Sequence, residues 1–129
     1  MTDEPRDKYY GETMSVVISE VPGVLPIDAV GLWHIVPKGR DGFGLTGDAL
    51  DEFVRRCIYA LLDAGAVAVS TGKGTGYEWL VQKQYGTTKE EIADNVIREW
   101  REVPDESEII YKVWFALPDP AFPKYVKLD

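Results

Sequence analysis

The residue types best suited to chemistry stand in one stretch, Lys38-Gly39-Arg40-Asp41-Gly42-Phe43-Gly44-Leu45-Thr46-Gly47, directly before a helical pattern. Glycines free the backbone N–H groups, a helix amino terminus adds the positive end of its dipole, and Lys38 and Arg40 add two cations. Together these suit a phosphate or a carboxylate. Lys38, Arg40, Gly42 and Gly44 are therefore candidate ligands for an anion. The stretch meets no nucleotide motif: it has neither Gly-x-x-x-x-Gly-Lys-Ser/Thr nor Gly-x-Gly-x-x-Gly with a trailing acid. Asp41 and Asp48 oppose an anion, and glycine-rich turns often do no more than reverse a strand into a helix.

Nucleophilic and metal chemistry have thinner support. His34 is the only histidine and Cys57 the only cysteine. One histidine has no second ligand of its kind for zinc. Cys57 falls on an apolar helical stripe with nothing nearby to lower its pKa, so a Cys–His nucleophile pair is disfavoured. Gly-x-Ser-x-Gly, His-Glu-x-x-His and Cys-x-x-Cys are all missing. The neighbouring carboxylates Glu90 and Glu91, or Asp51 and Glu52, read as solvated helix faces. The sequence assigns no catalytic residue, metal or cofactor and leans away from an enzyme.

The elements that must position these residues follow from periodicity. Leu50, Phe53, Val54, Cys57, Ile58, Leu61 and Ala64 recur at spacings of three and four, which predicts a helix from Gly47 to Gly65. Thr88-Lys89-Glu90-Glu91 has the form of a capping box opening a second helix, with Ile92, Val96, Ile97, Trp100 and Val103 on its buried side. Ala29–Val36, Ala66–Ser70, Tyr77–Tyr85 and Ile109–Leu117 read as strands, and Met14–Val21 as an extra strand or extended arm. The order strand, helix, strand, strand, helix, strand predicts an α+β, ferredoxin-like antiparallel sheet with both helices on one face. Ala29–Val36 and Tyr77–Tyr85 would be its central strands. A winged-helix arrangement needs a third helix before Gly47, where Pro22, Pro26 and Pro37 interrupt the chain. The 129 residues are expected to form one domain, flexible over 1–13 and ending in an extended proline-rich tail over 118–129.

Such a sheet leaves one face free of helices. If Trp33, Trp79 and Trp114 point that way, they form an aromatic patch of the kind that marks an interface, unless the amino-terminal strand or the tail covers it. Tyr111, Val113 and Phe115 are assigned to the core. The RNA-recognition motif stacks bases on the same face of the same fold. Here Gly76-Tyr77-Glu78-Trp79-Leu80-Val81 lacks that motif's pattern and puts a carboxylate beside the bases.

The net charge of −8 also disfavours nucleic acid and is compatible with a basic protein partner. A lone cysteine suggests a reducing compartment, and no apolar run reaches the length of a membrane span. A soluble cytoplasmic protein is expected. The function expected is a non-catalytic protein-binding or regulatory module acting through the aromatic face, with itself as a homodimer or with another protein. The alternative is a protein or enzyme that binds a small anionic ligand at 38–47.

Overall fold

The computed structural model describes residues 4–128. Residues 1–3 of the expected flexible start and the last residue of the expected tail lie outside them. The elements are α1 (Met14–Glu20), β1 (Val30–Gly31), α2 (Leu32–Pro37), α3 (Gly47–Asp63), β2 (Val67–Thr71), β3 (Trp79–Val81), α4 (Lys89–Glu102), α5 (Ser107–Ile110), β4 (Trp114–Ala116) and β5 (Val126–Lys127).

The two long helices form where their patterns predict. α3 buries Leu50, Phe53, Val54, Cys57, Ile58 and Leu61. Its end is a left-handed residue, Gly65, at φ 98°. α4 opens on the capping box, with the Thr88 side chain accepting the Glu91 N–H and Glu91 accepting the Thr88 N–H. The helices pack side by side, and Arg55 with Asp94, Lys89 with Asp63 and Arg101 with Asp51 form ion pairs across their exposed flanks.

The ferredoxin-like expectation fails. The sheet has five strands in the order β1-β4-β2-β3-β5, and it is mixed: β5 runs parallel to β3, while the other pairings are antiparallel. β2, expected at an edge, is central. The expected first strand is only Val30–Gly31, at the edge. Its fifth member comes from the proline-rich tail, whose Val126 pairs with Trp79.

Three segments account for the error. The extra strand expected over Met14–Val21 is α1, capped by Thr13, whose hydroxyl accepts the Val16 N–H at 3.3 Å. Met14, Val17, Ile18 and Val21 recur at helical spacing and pack against the core, which outweighs the β preference of Val16-Val17-Ile18. The strand expected over Ala29–Val36 turns into α2 after two residues. Leu32, Ile35 and Val36 are fully buried at spacings of three and four. His34 Nδ1 accepts the Gly31 N–H at 3.0 Å, satisfying a donor at the start of that helix. Pro37 has no N–H for the Trp33 carbonyl, and the chain widens beyond it into one π turn, Lys38–Gly42.

α5 is the third departure, inside the expected last strand. Asp105 accepts the Ser107 N–H and hydroxyl at 3.0 and 2.8 Å, which turns the chain into a short helix. Only Trp114–Ala116 remains as strand.

The core lies between α3, α4 and the inner sheet face. Phe115, paired in register with Val30 and Ala68, supplies the centre of that face.

Candidate functional site

Strand register decides what the opposite, outer face carries. Trp114 is aligned with Gly31 on one side and Val69 on the other, Val69 with Val81, and Trp79 with Thr71 and Val126. Aligned residues share a face, so Trp114, Val69, Trp79 and Val126 stand together, away from Phe115. β2 contributes only small residues here, which leaves room for the two indoles. Their rings lie 5.2 Å apart at 42°. Val69 and Ala116, in the same cluster, are sealed from solvent, and Tyr125 packs beside them.

Trp33 reaches this surface from the first turn of α2 and not from a strand. Its ring lies 6.2 Å from Trp114 at a steep 70°, 6.3 Å from Tyr111 and 3.9 Å from His34. Gly31 makes the approach possible. A Cβ there would stand 2.8 Å from Trp33 Cδ1 and 3.0 Å from two atoms of the Trp114 ring. The Trp114 indole N–H donates to the Tyr111 carbonyl at 3.1 Å, fixing that ring in place.

The three tryptophans expected at an interface are thus neighbours, with Trp114 in contact with both Trp33 and Trp79. The cluster is partly open: Trp33 is 39% and Tyr111 61% exposed, while Trp79 and Trp114 are half-buried. Tyr111, assigned to the core by strand alternation, projects outward because α5 breaks the alternation before it. Its spacing three before Trp114 was the available signal, read correctly only once the Asp105–Ser107 turn is recognised as a helix start.

The surroundings are mixed in charge. Asp28 and Glu78 lie near Tyr125 and, after burial, help push its hydroxyl up. Lys124 and Lys127 lie over the Tyr77 ring at 5.5 and 5.7 Å. Burial, and then Lys38, push His34 below the usual imidazole range, so the ring in the cluster is neutral near pH 7.

The glycine-rich stretch is placed differently. The Arg40 guanidinium holds Glu106 with two bonds, Nη1 to Oε1 at 2.6 Å and Nη2 to Oε2 at 2.9 Å, and the Trp100 indole N–H adds a third at 3.0 Å. Chiefly through Arg40, the Glu106 carboxyl is held down at about 2. Gly39 is packed against α3, where a Cβ would meet Phe53 at 2.6 Å and Leu50 at 2.8 Å. The Gly42 carbonyl accepts the Lys8 N–H at 2.9 Å, Gly44 turns the chain at φ 67°, and Lys38 is exposed. Arg40 and Lys38 are not convergent: one faces Glu106, and the other influences Asp7, Glu12 and His34.

Cys57 is fully buried on α3, and desolvation pushes its thiol up to about 12, so it is not a thiolate at neutral pH. Among the described residues no group of three or more His, Cys, Asp or Glu is arranged to hold a metal ion, and no helix is long and apolar enough to cross a membrane. In comparisons with known proteins no family model, curated protein or solved structure matches the chain.

Proposed function

We propose that the chain is a non-catalytic protein-binding or regulatory module whose docking surface is the aromatic cluster of Trp33, Tyr111, Trp114 and Trp79. The observation that carries this reading is the pair of exposed rings, Trp33 and Tyr111, standing on rings already fixed by packing. A rigid aromatic group loses little conformational freedom on binding and offers a large apolar area, which is why Trp and Tyr dominate interface energetics. The occupant favoured is a protein with a basic surface. A second copy carries the same −8 and is repelled, whereas a basic partner is attracted. Asp28 and Glu78, which have no ion-pair partner among the described residues, supply negative charge beside Tyr125.

Selection of displayed peptides on the wild-type protein tests this reading. Enriched sequences should combine Lys or Arg with apolar residues, and Trp33→Ser and Tyr111→Ser should each lose them. Enrichment that both variants retain would overturn the reading. A dimer in sedimentation that Tyr111→Ser dissolves would give the surface to a second copy instead. The anion reading of 38–47 has less support, because the Arg40 guanidinium is engaged by Glu106.

A further inference from the structure

The aromatic cluster holds one side chain of a type that changes charge near neutral pH, His34, the only histidine in the chain. It stands third in α2, the place from which a Glu or Gln side chain often reaches back to the N–H of the residue before a helix. Here the imidazole takes that place, and Nδ1 accepts the Gly31 N–H at 3.0 Å. Gly31 is buried, so its N–H depends on that nitrogen for an acceptor. The bond sets the tautomer: the lone pair is on Nδ1 and the hydrogen on Nε2.

The same ring belongs to the proposed docking surface. It lies 3.9 Å from the Trp33 ring at 33° and 5.6 Å from the Trp114 ring at 80°. Gly31 is close to both indoles, since a Cβ there would stand 2.8 Å from Trp33 and 3.0 Å from Trp114. One hydrogen bond therefore ties the backbone beneath the cluster to the helical turn that carries Trp33. An imidazolium cannot accept that bond. Both its nitrogens carry hydrogen, and Nδ1–H would point at the Gly31 N–H. A buried backbone donor without an acceptor is costly, so the proton and the present geometry exclude each other.

The charges around His34 come from several elements. Burial opposes the proton most, Lys38 on the π turn adds to it, and Asp28 ahead of β1 favours the proton; the net result is a ring held below its ordinary value of 6.5. Asp7 and Glu12 on the amino-terminal turn, Glu20 at the end of α1 and Asp41 on the π turn line a cleft that His34 also lines. α3 and α5 pack on α2 through apolar residues.

Resting on the docking reading above, we propose that His34 is an acid switch for the aromatic surface: a proton on Nδ1 breaks the bond to Gly31, opens the first turn of α2 and moves Trp33 away from Trp114 and Tyr111. The accepting form is the neutral one, so docking is full above the His34 ionisation and lost below it.

An NMR titration of the full chain from about pH 7.5 to about pH 5 tests the switch without any partner. The His34 ring, the Gly31 amide and the Trp33 indole N–H should shift together at one midpoint, below the ordinary 6.5. Fluorescence anisotropy of a Lys- and Arg-rich peptide selected on the wild type then reads docking over the same range. Wild-type affinity should fall at least about tenfold on that midpoint, because Trp33 leaves the surface. His34→Gln keeps an acceptor at the same helix position but does not titrate, so its affinity should stay level. Gly31 and Trp33 signals that ignore the His34 proton would overturn the proposal. So would a wild-type affinity that stays level with pH, or a Gln variant that loses affinity as the wild type does. Failure of the docking reading looks different: the peptide then binds Trp33→Ser and the wild type alike at neutral pH, while the NMR titration still decides the switch.

Discussion

The inner and outer faces of the sheet are both apolar, yet they end differently. On the inner face α3 and α4 cover Phe115 and Ala68 completely, and ion pairs bind the flanks of the two helices. On the outer face no helix among the described residues lies over β2; the cover is the protein's own rings, Trp79, Trp114 and Tyr125, with Trp33 and Tyr111 continuing the surface into solvent. The inner face has satisfied its demand for burial within the chain. Part of the outer one has not. That difference places the sealed core on one side of the sheet and the surface proposed for docking on the other.

The largest expected effect breaks the covered side. Phe53→Ala removes a ring only 1% exposed and should cost about 3–5 kcal/mol, read as a lower urea midpoint. Gly39→Ala drives a methyl into Phe53 and Leu50 and should cost about 1–3 kcal/mol in the same experiment.

A pH titration sharpens the contrast. The Glu106 carboxyl, held at about 2 by Arg40 and Trp100, stands below its ordinary value of 4.5. A carboxyl lowered on folding contributes stability fully above its unfolded value and loses it as the pH falls toward the folded one. Wild-type stability should therefore decline between about pH 4.5 and pH 2, and Glu106→Gln should remove that part of the decline. An identical acid profile in the variant would show that the pair is screened by water.

On the open side the same comparison predicts small stability changes with large binding changes. Tyr111→Ser should move the unfolding free energy by no more than about 1 kcal/mol, yet abolish association. The smallest effect belongs to the helix flanks, where Arg55→Ala should cost about 0.5 kcal/mol or less and leave binding intact.

How legible this was depends on the length of each element. α3 and α4 each repeat their apolar spacing over several turns, and the Thr88–Glu91 box marks a start, so local pattern and tertiary burial agree. Short elements offer too few repeats. In Ala29–Val36 both alternation and helical spacing can be read, and only burial of Leu32, Ile35 and Val36 against α3 and α5 chooses between them. α1 and α5 are similar: the local sign is the Thr13 cap on the first and the Asp105–Ser107 turn ahead of the second. The parallel pairing of β5 joins residues far apart in the chain, which no local pattern encodes. Strand alternation puts Trp79 and Trp114 on one face of the sheet, whereas Trp33 joins them from α2, where alternation expects a strand. Tyr111 and His34 were missed because their places depend on α5 and α2.

The most direct test of the docking surface is fluorescence anisotropy of a selected basic peptide, titrated with the wild type and with a Trp33→Ser, Tyr111→Ser double variant. The account predicts at least about a tenfold loss of affinity in a variant that still unfolds cooperatively, and binding that weakens as salt is raised. Equal affinity for the folded variant would contradict it.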